Sequence, residues 1–265
     1  MPPRSRARAR NYDPAKTRAA VTAQLRHVQE AVRGLDEERL AAPTRLGDWS
    51  VRELIAHLSM AVGAVARHLE DPAPPAREID ATGWAAATAG RAEAIDEDTR
   101  ALAASVAAPD ELLEQAAARF AELAPAAPGE RLLAARVGAI RLDDFLVTRC
   151  AELVVHTDDL AAATGLDVPY DRQALATAVR LLADGMAAKA PGGSVELRIP
   201  PFAVVQCVEG PRHTRGTPPN VVETNPLTWV RLAGGRIGWA EALEAGEVTA
   251  SGERADLTGY LPVLR

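Results

Sequence analysis

The sequence changes its pattern at Pro191-Gly192-Gly193, and that change constrains the fold more than any other feature. Residues 11–190 carry apolar positions at helical spacing. Beyond the glycines, Val195-Glu-Leu-Arg-Ile199 alternates with the period of a strand. A chain with this break divides into a helical part and a small mixed part rather than one continuous layer.

The helical part contains several start and stop signals. Asp13-Pro14 pairs an N-cap with proline at the first helical position and opens a helix to about Gly34. Ser50-Val51-Arg52-Glu53 has the capping-box pattern and opens a helix to about Leu69, which DPAPP at 71–75 ends. A long Ala-rich helix is predicted from Trp84 to Val106, and another from Pro109 to before Pro125. Residues 124–131 form a Pro/Gly loop. Leu142 to Thr164 is a helix closed by Gly165, and Asp171 opens one more to about Lys189. In the second part, the apolar run Phe202–Val208, Val221–Glu223 and Glu247–Ser251 read as strands. Short helices start at Pro226 and Trp239, and a terminal helix is predicted over 255–264. The reading is a mainly α chain with an N-terminal antiparallel four-helix bundle over 13–170 and a small α+β domain over 171–265. Residues 1–12 form a disordered basic tail, and the helix at 171–189 can belong to either side.

Composition narrows the function classes. The chain has 265 residues and a net charge of −6, and of its 30 basic residues only Lys16 and Lys189 are lysines. Apart from the arginines at 4, 6, 8 and 10 there is no basic cluster, so no nucleic-acid partner is expected. No apolar run reaches the ~18 residues of a membrane span, and the N-terminus lacks the apolar core of a secretory signal. A cytoplasmic protein without a membrane partner is the expectation. Cys150 and Cys207 supply neither a disulfide framework nor a Cys-based zinc site.

The remaining chemistry falls to histidine and carboxylate. Glu152 and His156 are four apart on one predicted helix, which sets a carboxylate and an imidazole on one face. His57 lies between Ile55 and Leu58 on the apolar side of its own helix, facing the bundle interior. Two imidazoles and a carboxylate suit Zn²⁺ or another divalent transition ion and leave a coordination position open. Asp159 could orient a liganding imidazole, and Arg149 could aim an anion-binding fork at the same cavity. His68 returns to the face of His57 but sits about 16 Å along the helix, too far to share its ion. His27 reads as a surface residue, and His213 has no companion. The same E-x-x-x-H spacing also occurs as a solvated pair or a satisfied core histidine, and both readings stand on spacing alone.

GDWSVRELIAHL, residues 47–58, and RLDDFLVTRCAELVVHTDDLAAATG, residues 141–165, resemble the two metal segments of the DinB-like, mycothiol-dependent maleylpyruvate isomerase N-terminal family. The resemblance covers most of 13–190. It implies an up-and-down four-helix bundle, a divalent ion, usually zinc, on His57, Glu152 and His156, and mycothiol as thiol cosubstrate. The stretch VELRIPPFAVVQC through ASGERADL is similar to the bacterial sterol-carrier-protein-like domain, the second half of that isomerase. There an arginine of the C-terminal domain completes the site. Arg212, Arg215 and Arg231 are the candidates here, and Arg215, in a Gly/Pro loop, is the first choice.

The expected function is therefore a metal-dependent isomerase or S-transferase. It would activate a low-molecular-weight thiol against a small, electrophilic, acidic substrate, with Arg149 and Arg215 as catalytic residues. The alternative is a sterol-carrier-like protein that binds an apolar ligand between Phe202–Val208 and Trp229, its metal structural or lost; core packing is the plainer role for those residues. Monomer and homodimer both remain open.

Overall fold

The computed structural model describes residues 10–211 and 218–264. Helix α1 (Pro14–Val32) begins as its cap signal requires, with the Asp13 side chain accepting from the Lys16 amide. A single turn, α2 (Glu37–Leu40), leads to α3 (Val51–Glu70), whose Ser50/Glu53 capping box is formed in both directions. Helices α6 (Pro109–Leu123) and α7 (Leu142–Thr164) supply the other two long members, and Gly165 ends α7 in the left-handed conformation. Each of these four packs on two others: α1 on α7, α7 on α3, α3 on α6 and α6 on α1. They enclose a core that includes Val21, Leu25, Leu54, Leu58, Leu113, Leu146 and Leu153.

Helix α7 is the centre of this arrangement. It is buried on almost every face, and its polar residues are therefore buried with it. Each must find a partner or cost stability. Thr157 does so through Gln24 of α1, whose Nε2 donates to its hydroxyl at 3.0 Å, while the Asp171 amide donates to Gln24 Oε1 at 2.7 Å. A polar stripe of buried Arg149, His156 and Asp159, with the part-buried Glu152 among them, continues along the same helix.

Three departures from the sequence reading concern local elements. The expected helix at 84–106 is interrupted: α4 (Ala81–Ala87) passes through a 3-10 turn at Thr88–Arg91 into α5 (Ala92–Ser105). Gly90 lies in the interruption, where a glycine costs a continuous helix about 1 kcal/mol relative to alanine. The segment before α7 forms a hairpin, β1 (Leu132–Ala135) and β2 (Gly138–Arg141), with Leu133 and Ile140 paired and buried. The predicted terminal helix is absent. Only a 3-10 turn forms at Thr258–Tyr260, because Pro262 has no N–H and holds Leu261 extended. The amides of Val263 and Leu264 donate to the Ala233 carbonyl instead.

Helix α8 (Arg172–Lys189) joins the two parts. One side packs on α1, α4 and α7, and the other on β4 and α9. The second part is a four-stranded sheet in the order β4-β3-β5-β6, from β3 (Val195–Ile199), β4 (Ala203–Cys207), β5 (Val221–Thr224) and β6 (Val248–Ser251). The β3–β5 pair is parallel and the other two are antiparallel. Helices α9 (Pro226–Ala233) and α10 (Trp239–Glu244) complete it. Trp229, Leu197, Ile199 and Cys207 are wholly buried in its core, the packing role rather than an exposed lining. The molecule is thus mainly helical, with a mixed α+β C-terminal region. Among the described residues no helix is long and apolar enough to cross a membrane.

Candidate metal centre

His57 is carried by α3 and Glu152 and His156 by α7, and the contact of these two helices brings all three together. One ligand atom from each lies within 4.8 Å of the others, and this is the metal-competent group of three or more His, Cys, Asp and Glu found among the described residues. Glu152 Oε2 is 3.3 Å from His57 Nε2 and 3.3 Å from His156 Nε2. These separations lie at the long end of hydrogen bonding, whose usual range is about 2.7–3.2 Å. They match the edge of a tetrahedron about an ion with bonds of ~2.0–2.1 Å, which is ~3.3–3.4 Å.

The surroundings fit the same chemistry. Burial alone would raise the carboxyl of Glu152, but hydrogen bonds from His156 and His57 and the charge of Arg149 hold it well below the usual carboxylate range. Burial pushes His57 down, towards the neutral imidazole that ligates. Its Nδ1 is buried and has no hydrogen-bond partner among the described residues, and the ring is positioned by Trp49 at a centroid distance of 5.2 Å. Trp49 is itself anchored by its indole N–H on Asp96 of α5, at 2.5 Å. His156 is oriented differently: its Nδ1 lies 3.0 Å from Asp159 Oδ2, in the orienting role expected for Asp159. Burial alone would lower the His156 pKa, but its hydrogen bonds with Asp159 and Glu152 raise it. In the neutral tautomer whose Nδ1–H is donated to Asp159, Nε2 would be free to ligate an ion.

Asp159 also leads to the C-terminal domain. Arg236, in the turn between α9 and α10, donates to it through Nε at 3.0 Å and Nη2 at 2.9 Å. The neighbouring Asp158 receives Arg231 in the same bidentate manner, with a shortest contact of 2.8 Å. Arg45, from the segment before α3, donates to both carboxylates. Arg231 therefore docks on α7, which carries two of the three candidate ligands, and contacts Asp158 rather than a ligand. Arg215, with Arg212 and His213, lies outside the described residues. The sequence reading missed Arg236, Arg45 and Asp158, since nothing local links residues 77 or 114 positions apart.

Arg149 is buried one turn before Glu152. Its three hydrogen bonds go to neutral oxygens, the Ala61 carbonyl and the Thr148 hydroxyl. Its guanidinium lies over Phe145 at 4.4 Å and near Trp84 at 5.5 Å, and the closest carboxylate oxygen is Glu152 Oε1 at 3.8 Å. Arg149, His57 and Glu152 line the inner end of a cleft of about 90 Å³, which extends past His68 to Arg67, Arg91 and Arg136. His57 and His68 thus face one cleft from separate turns of α3. Cys150 is fully buried beside the Thr17 carbonyl and takes no part.

The family of the mycothiol maleylpyruvate isomerase N-terminal domain matches residues 7–161, and the bacterial SCP ortholog family matches residues 171–263. Among solved structures, the crystal structure of the mycothiol-dependent maleylpyruvate isomerase is similar at a TM-score of 0.60 and 18% identity, covering 92% of this chain and 95% of that one. A histidine-to-alanine mutant of that isomerase is similar at 0.59 and 17%, with the same coverage. At such identity the structural likeness is one of fold. No curated protein matches the sequence. The family match over more than half of the chain goes further: this chain belongs to the mycothiol maleylpyruvate isomerase N-terminal domain family, joined to a bacterial SCP ortholog domain.

Proposed function

We propose that the protein is a divalent-metal enzyme, with zinc as the expected ion. It would activate a low-molecular-weight thiol such as mycothiol for isomerisation or S-transfer on a small, acidic electrophile. The observation that carries this reading is the pair of 3.3 Å separations about Glu152, at the inner end of a cleft whose other charges are mostly cationic. His57, Glu152 and His156 would hold the ion. When bound, such an ion supplies an open position at which a thiol loses its proton at neutral pH.

The chain's own residues do the rest. Phe145, Trp84 and Ala61 fix the Arg149 guanidinium before any ligand arrives, so little reorganisation accompanies anion binding. In a site shielded from water, its attraction for a substrate carboxylate exceeds that of an exposed arginine. Glu152 is the one carboxylate among these groups. With it committed to the ion, Arg149 keeps its charge available to the substrate. His57 is confined between Trp49 and the centre, so the imidazole stays aligned without a hydrogen bond at Nδ1.

Metal analysis of the purified protein beside His57→Ala and Glu152→Ala tests the site. Near one equivalent of divalent ion in the parent, and little in either variant, is the expected result. Equal content in all three overturns it. For the thiol step, a chelator is expected to abolish adduct formation between mycothiol and an electrophilic acid such as maleylpyruvate. Unchanged adduct formation overturns the mechanism.

A further inference from the structure

We propose that docking of the C-terminal domain and occupancy of the metal centre are coupled through Arg236, a positioning residue that acts through Asp159 on His156. The inference rests on the metal reading above and assigns a function to an arginine far from the ligands in sequence. Asp159 is completely buried, so its charge persists only if its oxygens are satisfied. Oδ2 faces His156 Nδ1 at 3.0 Å and Arg236 Nη2 at 2.9 Å, and Oδ1 faces Arg236 Nε at 3.0 Å and Arg45 Nη2 at 3.2 Å. Arg236 thus holds both oxygens of the group that orients the imidazole.

The turn that carries Arg236 is prepared for this. The Arg236 amide donates to the Arg231 carbonyl at 2.7 Å, Nη1 donates to the Gly234 carbonyl, and Gly235 takes a positive φ of +72°. The guanidinium is therefore in place when the domain docks, and it sets the plane of the Asp159 carboxylate, which sets the His156 ring. Asp158 provides an internal control. It is buried beside Asp159 and gripped by Arg231, Arg45 and the Tyr170 hydroxyl, but among the described residues no histidine hydrogen-bonds to it. Arg231 and Arg236 both attach the C-terminal domain to α7; only Arg236 does so through the group that orients His156. By reciprocity, whatever docking contributes to metal affinity, the metal returns to docking.

The test measures Zn²⁺ affinity of the full-length protein at fixed pH by competition with a chromophoric chelator. The variants are Arg236→Gln, Arg236→Lys and Arg231→Gln. Loss of a group that supports a ligand typically weakens metal binding 10–100-fold, and Arg45 remains on Asp159, so R236Q is expected to lose about tenfold. R236K keeps the charge but not the fork and is expected to fall between R236Q and the parent. R231Q is expected to stay within about twofold of the parent. Equal affinity in R236Q and the parent overturns the coupling, and so does an equal loss in R231Q, which would indicate general loosening of the domain. Should R236Q fail to fold by circular dichroism, R236K decides by the same criterion. A parent that binds no Zn²⁺ overturns the metal reading itself, an outcome distinct from either failure of the coupling.

Discussion

Glu152 is the residue on which the centre turns, because one of its oxygens is equidistant from both imidazoles. Its partner His156 was legible from a spacing of four on one helix. His57 was legible from its place on an apolar face. Asp159 followed from the next helical turn. Arg236 was not legible, since a contact across 77 positions leaves no trace in local pattern. At this scale the two cysteines are also informative. Burial drives the Cys150 thiol far above its ordinary range and pushes Cys207 up to about 11. The thiolate is the reactive form, so raising the pKa lowers its population at neutral pH. Neither cysteine is expected to react promptly with a chromogenic disulfide at pH 8 in the native protein, and both should react in denaturant. Prompt native labelling would mean that these cores open readily.

At the scale of elements, caps are legible in the sequence where a side chain does the capping, as at Asp13, Ser50 and Asp171. Elements were misread where alanine obscures the period. The hairpin before α7 contains Leu-Leu-Ala-Ala, a poor strand by propensity, and it forms because Leu133 and Ile140 bury themselves against the bundle. Alanine likewise suggested a continuous helix at 84–106, where a 3-10 turn instead redirects the chain and leaves Arg91 on the rim of the cleft. The C-terminal sheet depends on a glycine after β6. Gly252 has φ +99°, and a Cβ there would stand 2.1 Å from the Pro219 carbonyl oxygen. Gly252→Ala is expected to cost about 1–3 kcal/mol or more, through the backbone conformation and the clash together. Denaturant unfolding measures this, and an unchanged midpoint would mean that the 219–220 turn moves aside freely.

For the whole molecule, α8 determines how far the two parts are independent. Ala174, Ala178, Val179, Leu182 and Met186 are buried, and the helix packs on bundle and sheet alike. A helix shared in this way transmits a core defect to both sides. Leu182→Ala is expected to destabilise the protein by about 2–5 kcal/mol. Bundle and sheet should then lose stability together, in one transition seen both by far-UV circular dichroism and by Trp229 fluorescence. Two separated transitions would show that α8 stays with one part while the other melts. The arginine clamps on Asp158 and Asp159 act at the same scale, since they tie the C-terminal domain to the helix that holds two of the three candidate ligands.

The sequence by itself determined the two-part organisation, the caps of the long helices and the Glu152/His156 pair. Each of these depends on residues within one or two turns of one another, or on an abrupt change of period. His57, a candidate by its place on an apolar face, joined that pair only through the resemblance of residues 47–58 to a metal segment. Only the tertiary structure decided that the three ligand atoms meet, that Arg149 is buried at the inner end of a cleft with its hydrogen bonds on neutral oxygens, and that Arg236 reaches the centre through Asp159. The physical reason is range. Helix caps and periodicity come from backbone hydrogen bonding and local burial. The partners of a buried charge are set by whichever elements pack around it, at any distance along the chain.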